Sequence, residues 1–199
     1  MAKDNSFLDL LRRRKTIRKF KKGTLSREAL DEILFAAFGK THDFKNIAMR
    51  TAPSAGATYP LDIYVAVEDI EGVDDGIYKY DTASESPQLI KNGRYFKDIR
   101  RAALDQAFIS ASAINLLMVY TPERIVPEYG GDSFKYAAME CGHIGQNLLL
   151  MATALGLGAV PVGAFDSDKM AGVFGIKHPH EALYLISIGI IAQGKEGKA

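Results

Sequence analysis

The sequence predicts an α+β fold of layered helices and strands. Three runs rich in β-branched and aromatic residues, at 61–67, 113–121 and 182–191, read as strands. Two apolar-periodic stretches, 26–38 and 134–155, read as helices. The second is hydrophobic nearly all round, which places it at the centre of the molecule. Helical and strand segments segregate rather than alternate strictly, and that favours α+β over a doubly wound sheet. The composition suits this reading: 199 residues, 47% hydrophobic, 25% charged and 10% aromatic, are expected to form a single domain, 1–199, with no linker worth a boundary.

The elements follow in order. Residues 5–14 carry Phe7, Leu8, Leu10 and Leu11 on a short amphipathic helix that Asn5 or Ser6 would cap. A turn at Lys22-Gly23 precedes Ser26, the N-cap of a helix that runs through Phe38 and ends at Gly39. Residues 40–58, with Pro53, Gly56 and several small side chains, read as loop. A short strand is expected near 77–80, a helix over 95–112 and a buried strand over 113–121. Beyond the central helix, 157–165 is a loop or short strand, 168–174 a short helix and 182–191 the last strand.

Charge is balanced globally and uneven locally. Lys and Arg total 25 against 24 Asp and Glu, so a net charge of +1 offers no general attraction to nucleic acid or an anionic membrane. Yet Arg12, Arg13, Arg14, Lys15, Arg18, Lys19, Lys21 and Lys22 place eight cations in one stretch without an acid, leaving 17 cations against 24 acids elsewhere. Such a run needs an anionic partner or open solvent. No aromatic or glycine pattern accompanies it, so an RNA-binding signature is absent. Cys141 has no second cysteine to pair with, which suits a reducing compartment. The opening apolar stretch is too short for a signal peptide, and none reaches the ~18 residues of a membrane helix. A cytoplasmic protein is expected.

Several chemistries are excluded. The stretch Gly156-Leu-Gly158 follows a helix and enters an apolar strand, the reverse of a dinucleotide-binding turn, so its glycines are expected to end the helix and let backbones approach. No phosphate-binding P-loop is present. His178-Pro-His180 lacks a third ligand nearby, and no metal is expected. Cys141 and His143, two apart on a helix, face different ways and cannot act as nucleophile and base.

Three segments together resemble the FMN-dependent nitroreductases. They are Arg14-Lys-Thr-Ile-Arg-Lys-Phe20; Arg50-Thr-Ala-Pro-Ser-Ala-Gly-Ala57 with Tyr59-Pro60; and Glu140-Cys-Gly-His-Ile-Gly-Gln-Asn147 through Ala154-Leu-Gly-Leu-Gly-Ala-Val-Pro-Val-Gly-Ala-Phe-Asp166. The second segment is more similar to the thiazole/oxazole (azoline) dehydrogenase branch. The resemblance implies a three-layer α/β/α sandwich with a mixed, mainly antiparallel sheet, and a homodimer with a shared active site. It implies FMN as cofactor, with Arg14 and Thr16 at its phosphate, Lys15 as a further backbone or side-chain donor to the cofactor, and Arg18 near the N1/O2 edge of the ring. Pro53, Ser54, Ala55 and Gly56 would pack against flavin held chiefly by the other subunit. Pro161, Val162, Gly163 and Ala164 would cross the central ring and aim a backbone N–H at N5, and Gln106 would meet the pyrimidine edge.

In the same branch a Lys-Tyr pair precedes the Glu-x-Gly-His stretch, and here Lys135 and Tyr136 stand in that place as catalytic candidates for proton removal. The family's usual Glu in the ring-crossing loop is absent, with Val162 nearby. Of the family's C-terminal cations only Lys195 and Lys198 remain, in a Gly-containing tail expected to fray. The implied activity is ping-pong hydride transfer from NAD(P)H to nitroaromatic, quinone or related acceptors. Oxidation of azoline-type substrates is the alternative, and a non-catalytic flavin-binding protein is the alternative of another class.

Overall fold

A computed structural model describes residues 7–192. The Asn5 or Ser6 cap and the Lys195 and Lys198 cations lie outside the described residues. Helix α1 is Phe7–Arg13. A two-residue strand β1, Phe20–Lys21, leads to α2, Arg27–Phe38. Ser26 caps α2 as expected, its hydroxyl accepting the Ala29 N–H at 3.2 Å. Gly39 ends α2 for another reason than a left-handed turn: its φ of −62° suits any residue. A Cβ there would lie 2.2 Å from the Phe35 ring, so the position is glycine because the chain passes close to its own helix.

The segment 40–58 is not all loop. Strands β2, Lys40–Phe44, and β3, Ile47–Arg50, form a separate antiparallel hairpin turned at Lys45 and Asn46, both left-handed. Strand β4, Leu61–Val67, matches its expected bounds, and β5, Gly76–Asp81, extends the short strand expected near 77–80. Strand β6, Ser86–Asn92, was not anticipated. The stretch 95–112 is not one helix: α3, Phe96–Ala102, stops before Leu104 and Asp105, which are both left-handed, and only a 3-10 turn resumes at Ala107–Ala111. Strand β7, Ile114–Tyr120, and the short α4, Val126–Tyr129, precede the long α5, Ser133–Ala154. Strand β8, Gly158–Val162, helix α6, Ser167–Phe174, and strand β9, Glu181–Ile191, complete the described chain.

The main sheet runs β1-β9-β7-β4-β5-β6, with β8 also paired to β9. Its strand pairs are antiparallel, and single parallel bridges join Thr16 to Ala159 and Leu25 to Ile70. Period-two alternation builds the layers. Leu61, Ile63, Val65 and Val67 of β4 and Ile114, Leu116 and Met118 of β7 face α2 and α5, meeting Leu30, Ile33, Ile144 and Leu148. The alternate residues Tyr64, Ala66, Leu117 and Val119 face α3 and α6, meeting Phe96, Ile99, Met170 and Phe174. The result is helices, sheet, helices.

Helix α5 is less uniform than its composition. Ala137, Glu140, Cys141, Ile144, Leu148 and Ala152 form its buried face, while Phe134, Met139 and His143 are exposed. Cys141 and His143 do point apart, and burial pushes the Cys141 thiol up to about 12, an inert core group. No helix among the described residues is long and apolar enough to cross a membrane.

Candidate active site

The residues named by sequence fall into two groups. The first gathers where α1 meets the end of α5. Arg13 reaches the Thr153 carbonyl at 3.4 Å, and beyond α1 the chain turns along β8: Thr16 bridges Ala159, and the Ile17 N–H donates to Ala159 O at 3.0 Å. Gly158 permits this contact, because a Cβ there would lie 2.7 Å from Ile17 Cγ2 and 3.0 Å from the Phe20 ring. Gly156, at φ 72°, ends the helix. Both glycines thus act as their sequence context predicts.

Arg14 and Thr16 are half-buried here, and Lys15 and Arg18 are exposed. No acid among the described residues pairs with Arg14, Lys15 or Arg18. Two residues past Ala159, β8 runs into Pro161, Val162, Gly163 and Ala164, of which the last two are exposed. Gln106 joins this group by donating its Nε2 to Ala164 O at 3.1 Å and Ala103 O at 3.0 Å. Its amide nitrogen therefore fastens the loop, and Oε1 is the atom it has left to offer.

The second group surrounds the start of α5. Gly56, Ala57 and Tyr59 are all left-handed, at φ 55°, 53° and 46°. For Ala57 and Tyr59 this is strained backbone, held by local bonds. Ser54 Oγ accepts the Tyr59 N–H at 2.9 Å, and the Thr58 hydroxyl donates to Ala55 O at 2.9 Å. Gly56 lies under Tyr129, whose hydroxyl would be 2.7 Å from a Cβ. The Tyr129 and Tyr136 rings meet at 4.8 Å, and Lys135 Nζ stands 5.9 Å from the Tyr136 ring. Pro53, Ser54, Ala55, Gly56, Lys135 and Tyr136 are thereby drawn into one neighbourhood.

The two groups do not meet within a chain. From Tyr136 to Thr153, beside Arg13, α5 rises roughly 25 Å. Strand β8, which carries the Pro161–Ala164 loop, is separated from β4, which the Pro53–Gly56 loop enters, by β9 and β7. That is a width of about 14 Å.

The profile of the Nitroreductase family matches residues 11–190. The chain belongs to the nitroreductase family. It is 42% identical over 169 residues to a protein named as a nitroreductase in Methanocaldococcus jannaschii, covering 85% of this chain and 84% of that one. Among solved structures, one from Ralstonia eutropha JMP134, also named as a nitroreductase, superposes with a TM-score of 0.81 at 24% identity over 94% of this chain and 83% of its own. The Escherichia coli microcin synthetase McbBCD complex matches at 0.77 and 21%, over 88% and 68%. The Vibrio harveyi NADPH:FMN oxidoreductase, complexed with NAD+, matches at 0.69 and 18%, over 98% and 73%. These structural likenesses are likenesses of fold.

This nitroreductase chain also places residues near the site that sequence reasoning missed. Glu140, 2% exposed, lies one turn beyond Tyr136 on α5, and neither carboxylate oxygen has a hydrogen-bond partner among the described residues. Burial raises its pKa to about 7; the Ser54 hydroxyl and the charge of Arg124 oppose that shift without cancelling it. Ser54 is close enough to be felt but forms no bond within hydrogen-bond geometry. Arg124 anchors the neighbouring turn, donating to Tyr59 O at 2.7 Å and pairing with Asp62. The sequence signal for Glu140 was its four-residue spacing from Tyr136, but its lack of a partner is a tertiary fact.

Proposed function

We propose that this protein is an FMN-dependent oxidoreductase, taking hydride from NAD(P)H and passing it to nitroaromatic, quinone or related acceptors. The observation that supports it most is the junction of Thr16 with Ala159. There Arg14, Lys15 and Arg18, without acid partners among the described residues, stand beside a loop whose exposed Gly163 and Ala164 bring bare backbone to the surface. This donor set fits a flavin mononucleotide: cations for an acidic tail, then backbone and an amide oxygen for a flat polar ring. Arg14, Lys15 and Thr16 would hold the phosphate. Arg18 would stabilise negative charge at the N1/O2 edge, Gln106 would accept from the pyrimidine edge while fixing the loop, and the Gly163 or Ala164 N–H would serve N5. Bound there, FMN supplies the hydride acceptor and donor. The chain itself needs no triad, because its work is binding, orientation and exclusion of water.

The separation of the two groups favours a homodimer. A flavin held at β8 meets the Pro53–Gly56 loop only if a second copy supplies it. The surface between the groups suits such a partner: Phe35 of α2 and Met139 of α5 are each 51% exposed, and Leu10, Phe35, Leu150 and Met151 line an apolar hollow of about 410 Å³. The same pocket then receives donor and acceptor in turn.

The test is the visible spectrum of the protein as purified, followed by anaerobic addition of NADH and of NADPH. Flavin bands that bleach with either donor are expected. A colourless protein that takes up no FMN at micromolar concentration would overturn the reading.

A second reading, oxidation of azoline-type substrates, is favoured by the Lys135–Tyr136–Tyr129 contact and by the fold shared with microcin synthetase McbBCD. Azoline oxidation needs a base for a C–H proton while the flavin takes the hydride, and the Lys135–Tyr136 pair, with Tyr136 half-buried against Tyr129, would supply that base. Lys135→Ala is then expected to abolish azoline oxidation while leaving FMN content and quinone reduction intact. Equal activity on an azoline peptide would remove this reading.

A further inference from the structure

A cavity of about 530 Å³ opens where β4 begins, beside the second group of candidate site residues, with Tyr59 in its wall. Three cations line it: Arg50 at the end of β3, Lys79 on β5 and Arg124 after β7. Two of them are already occupied. Asp62, buried in the wall, takes Lys79 Nζ on Oδ2 at 2.7 Å and Arg124 on Oδ1. Burial alone would raise this carboxyl, but the two cations outweigh it and hold it below the ordinary carboxylate range. Arg124 further donates to two carbonyls, Tyr59 O at 2.7 Å and Leu61 O at 3.3 Å.

Arg50 is different. Its guanidinium carbon lies 4.7 Å from the Phe38 ring centroid and 5.5 Å from that of Tyr59, and Nη1 donates to Phe38 O at 2.9 Å. No carboxylate among the described residues pairs with it. The other acid of the wall, Asp81, is turned into its own hairpin. It accepts the Ala83 N–H at 3.1 Å and the Ser84 hydroxyl at 2.7 Å. The cavity therefore holds a surplus cation whose fork is held to one side of the edge-to-face Phe38–Tyr59 pair. Its plane, its remaining donors and the nearby Lys79 ammonium match an oxyanion. The volume leaves room for an organic body beyond it.

We propose that this cavity binds a small organic oxyanion, a carboxylate or a phosphate ester, gripped by the Arg50 fork with Lys79 alongside. The site adjoins the Pro53–Gly56 loop, since Arg50 and Tyr59 flank that loop and the Arg50 N–H donates to the Tyr59 hydroxyl at 3.1 Å. Within one chain it lies at the opposite end of α5 from the proposed phosphate donors, and in the proposed dimer it would neighbour the flavin that a second copy holds.

Calorimetric titration of the full-length protein at low salt, with added FMN present, tests it with two probes, succinate and inorganic pyrophosphate. One saturable site per chain is expected for at least one probe, and which probe binds tells carboxylate from phosphate. Arg50→Gln is expected to weaken that binding about tenfold or more, and Arg14→Gln to leave it unchanged. Arg50→Lys keeps the charge over the rings but not the fork. It is expected to melt like the parent and still bind several-fold more weakly, which separates lost recognition from lost folding. Failure of both probes to saturate, or parental binding by both Arg50 variants, would overturn the site. Loss in Arg14→Gln instead would move the anion to the α1 end and overturn it equally.

Discussion

Replacing Glu140 with glutamine is expected to stabilise the protein at about pH 8 by on the order of 3 kcal/mol, and to leave it nearly unchanged at about pH 4. The sign follows from the direction of the shift. The folded carboxyl has a pKa of about 7, against an ordinary 4.5. Below 4.5 both folded and unfolded chains hold the proton, so nothing is lost. Between 4.5 and 7 the unfolded chain releases it and the folded chain keeps it, so stability falls by about 1.4 kcal/mol per pH unit. Above 7 both forms are ionised and the deficit stays constant. Glutamine carries no charge at any of these pH values and fills nearly the same space. Denaturant unfolding at matched protein concentration across this pH range is the measurement. A variant whose stability falls with pH as steeply as the parent's would show that Glu140 is not the group responsible.

Arg14→Gln is expected to weaken FMN binding by roughly 10- to 100-fold while leaving riboflavin binding almost untouched. A charge-assisted hydrogen bond to phosphate contributes about 1.5–3 kcal/mol, and glutamine keeps a donor but not the charge or the fork. Arg14 directly follows α1, its N–H bonded to Leu10 O at 2.9 Å, so the substitution leaves the backbone its own partner. The comparison of the two flavins is the decisive part. A merely structural arginine would weaken both alike, whereas a phosphate ligand narrows the gap between them. Fluorescence titration of each flavin into the protein reads the difference.

How far the sequence discloses this molecule differs from element to element. Strand β4 could be located to the residue because all seven of its side chains are buried and its composition is that of a core strand. The β2–β3 hairpin could not. Every side chain of β2 is exposed, so no buried face imprints alternation on Lys40–Phe44, and Asn46 at the turn was the one local cue. Strand β6 carries Pro87 and lies at the edge of the sheet, where proline is tolerated but masks the pattern. The break after α3 sits at Leu104 and Asp105, left-handed without a glycine to announce it.

The candidate site divides in the same way. Motif spacing named Arg14, Thr16, Gly163 and Tyr136, and the fold sets Thr16 against Ala159 and Tyr136 against Tyr129. Glu140 and Arg50 owe their interest to what surrounds them, an unpartnered burial and a pair of aromatic rings that the folded chain brings back from either side. Such facts belong to assembly, and composition carries little trace of them.

Helix α5 spans the distance between the two groups, and in the proposed dimer each centre would draw one half from either copy. An injury to one end of a chain would then spoil a single centre, and an injury to the other end would spoil the opposite one. Two polypeptides crippled at different ends could therefore compose, when paired, one sound centre and one doubly broken one. Defects in such a protein would compensate across copies where defects in a self-contained enzyme simply accumulate.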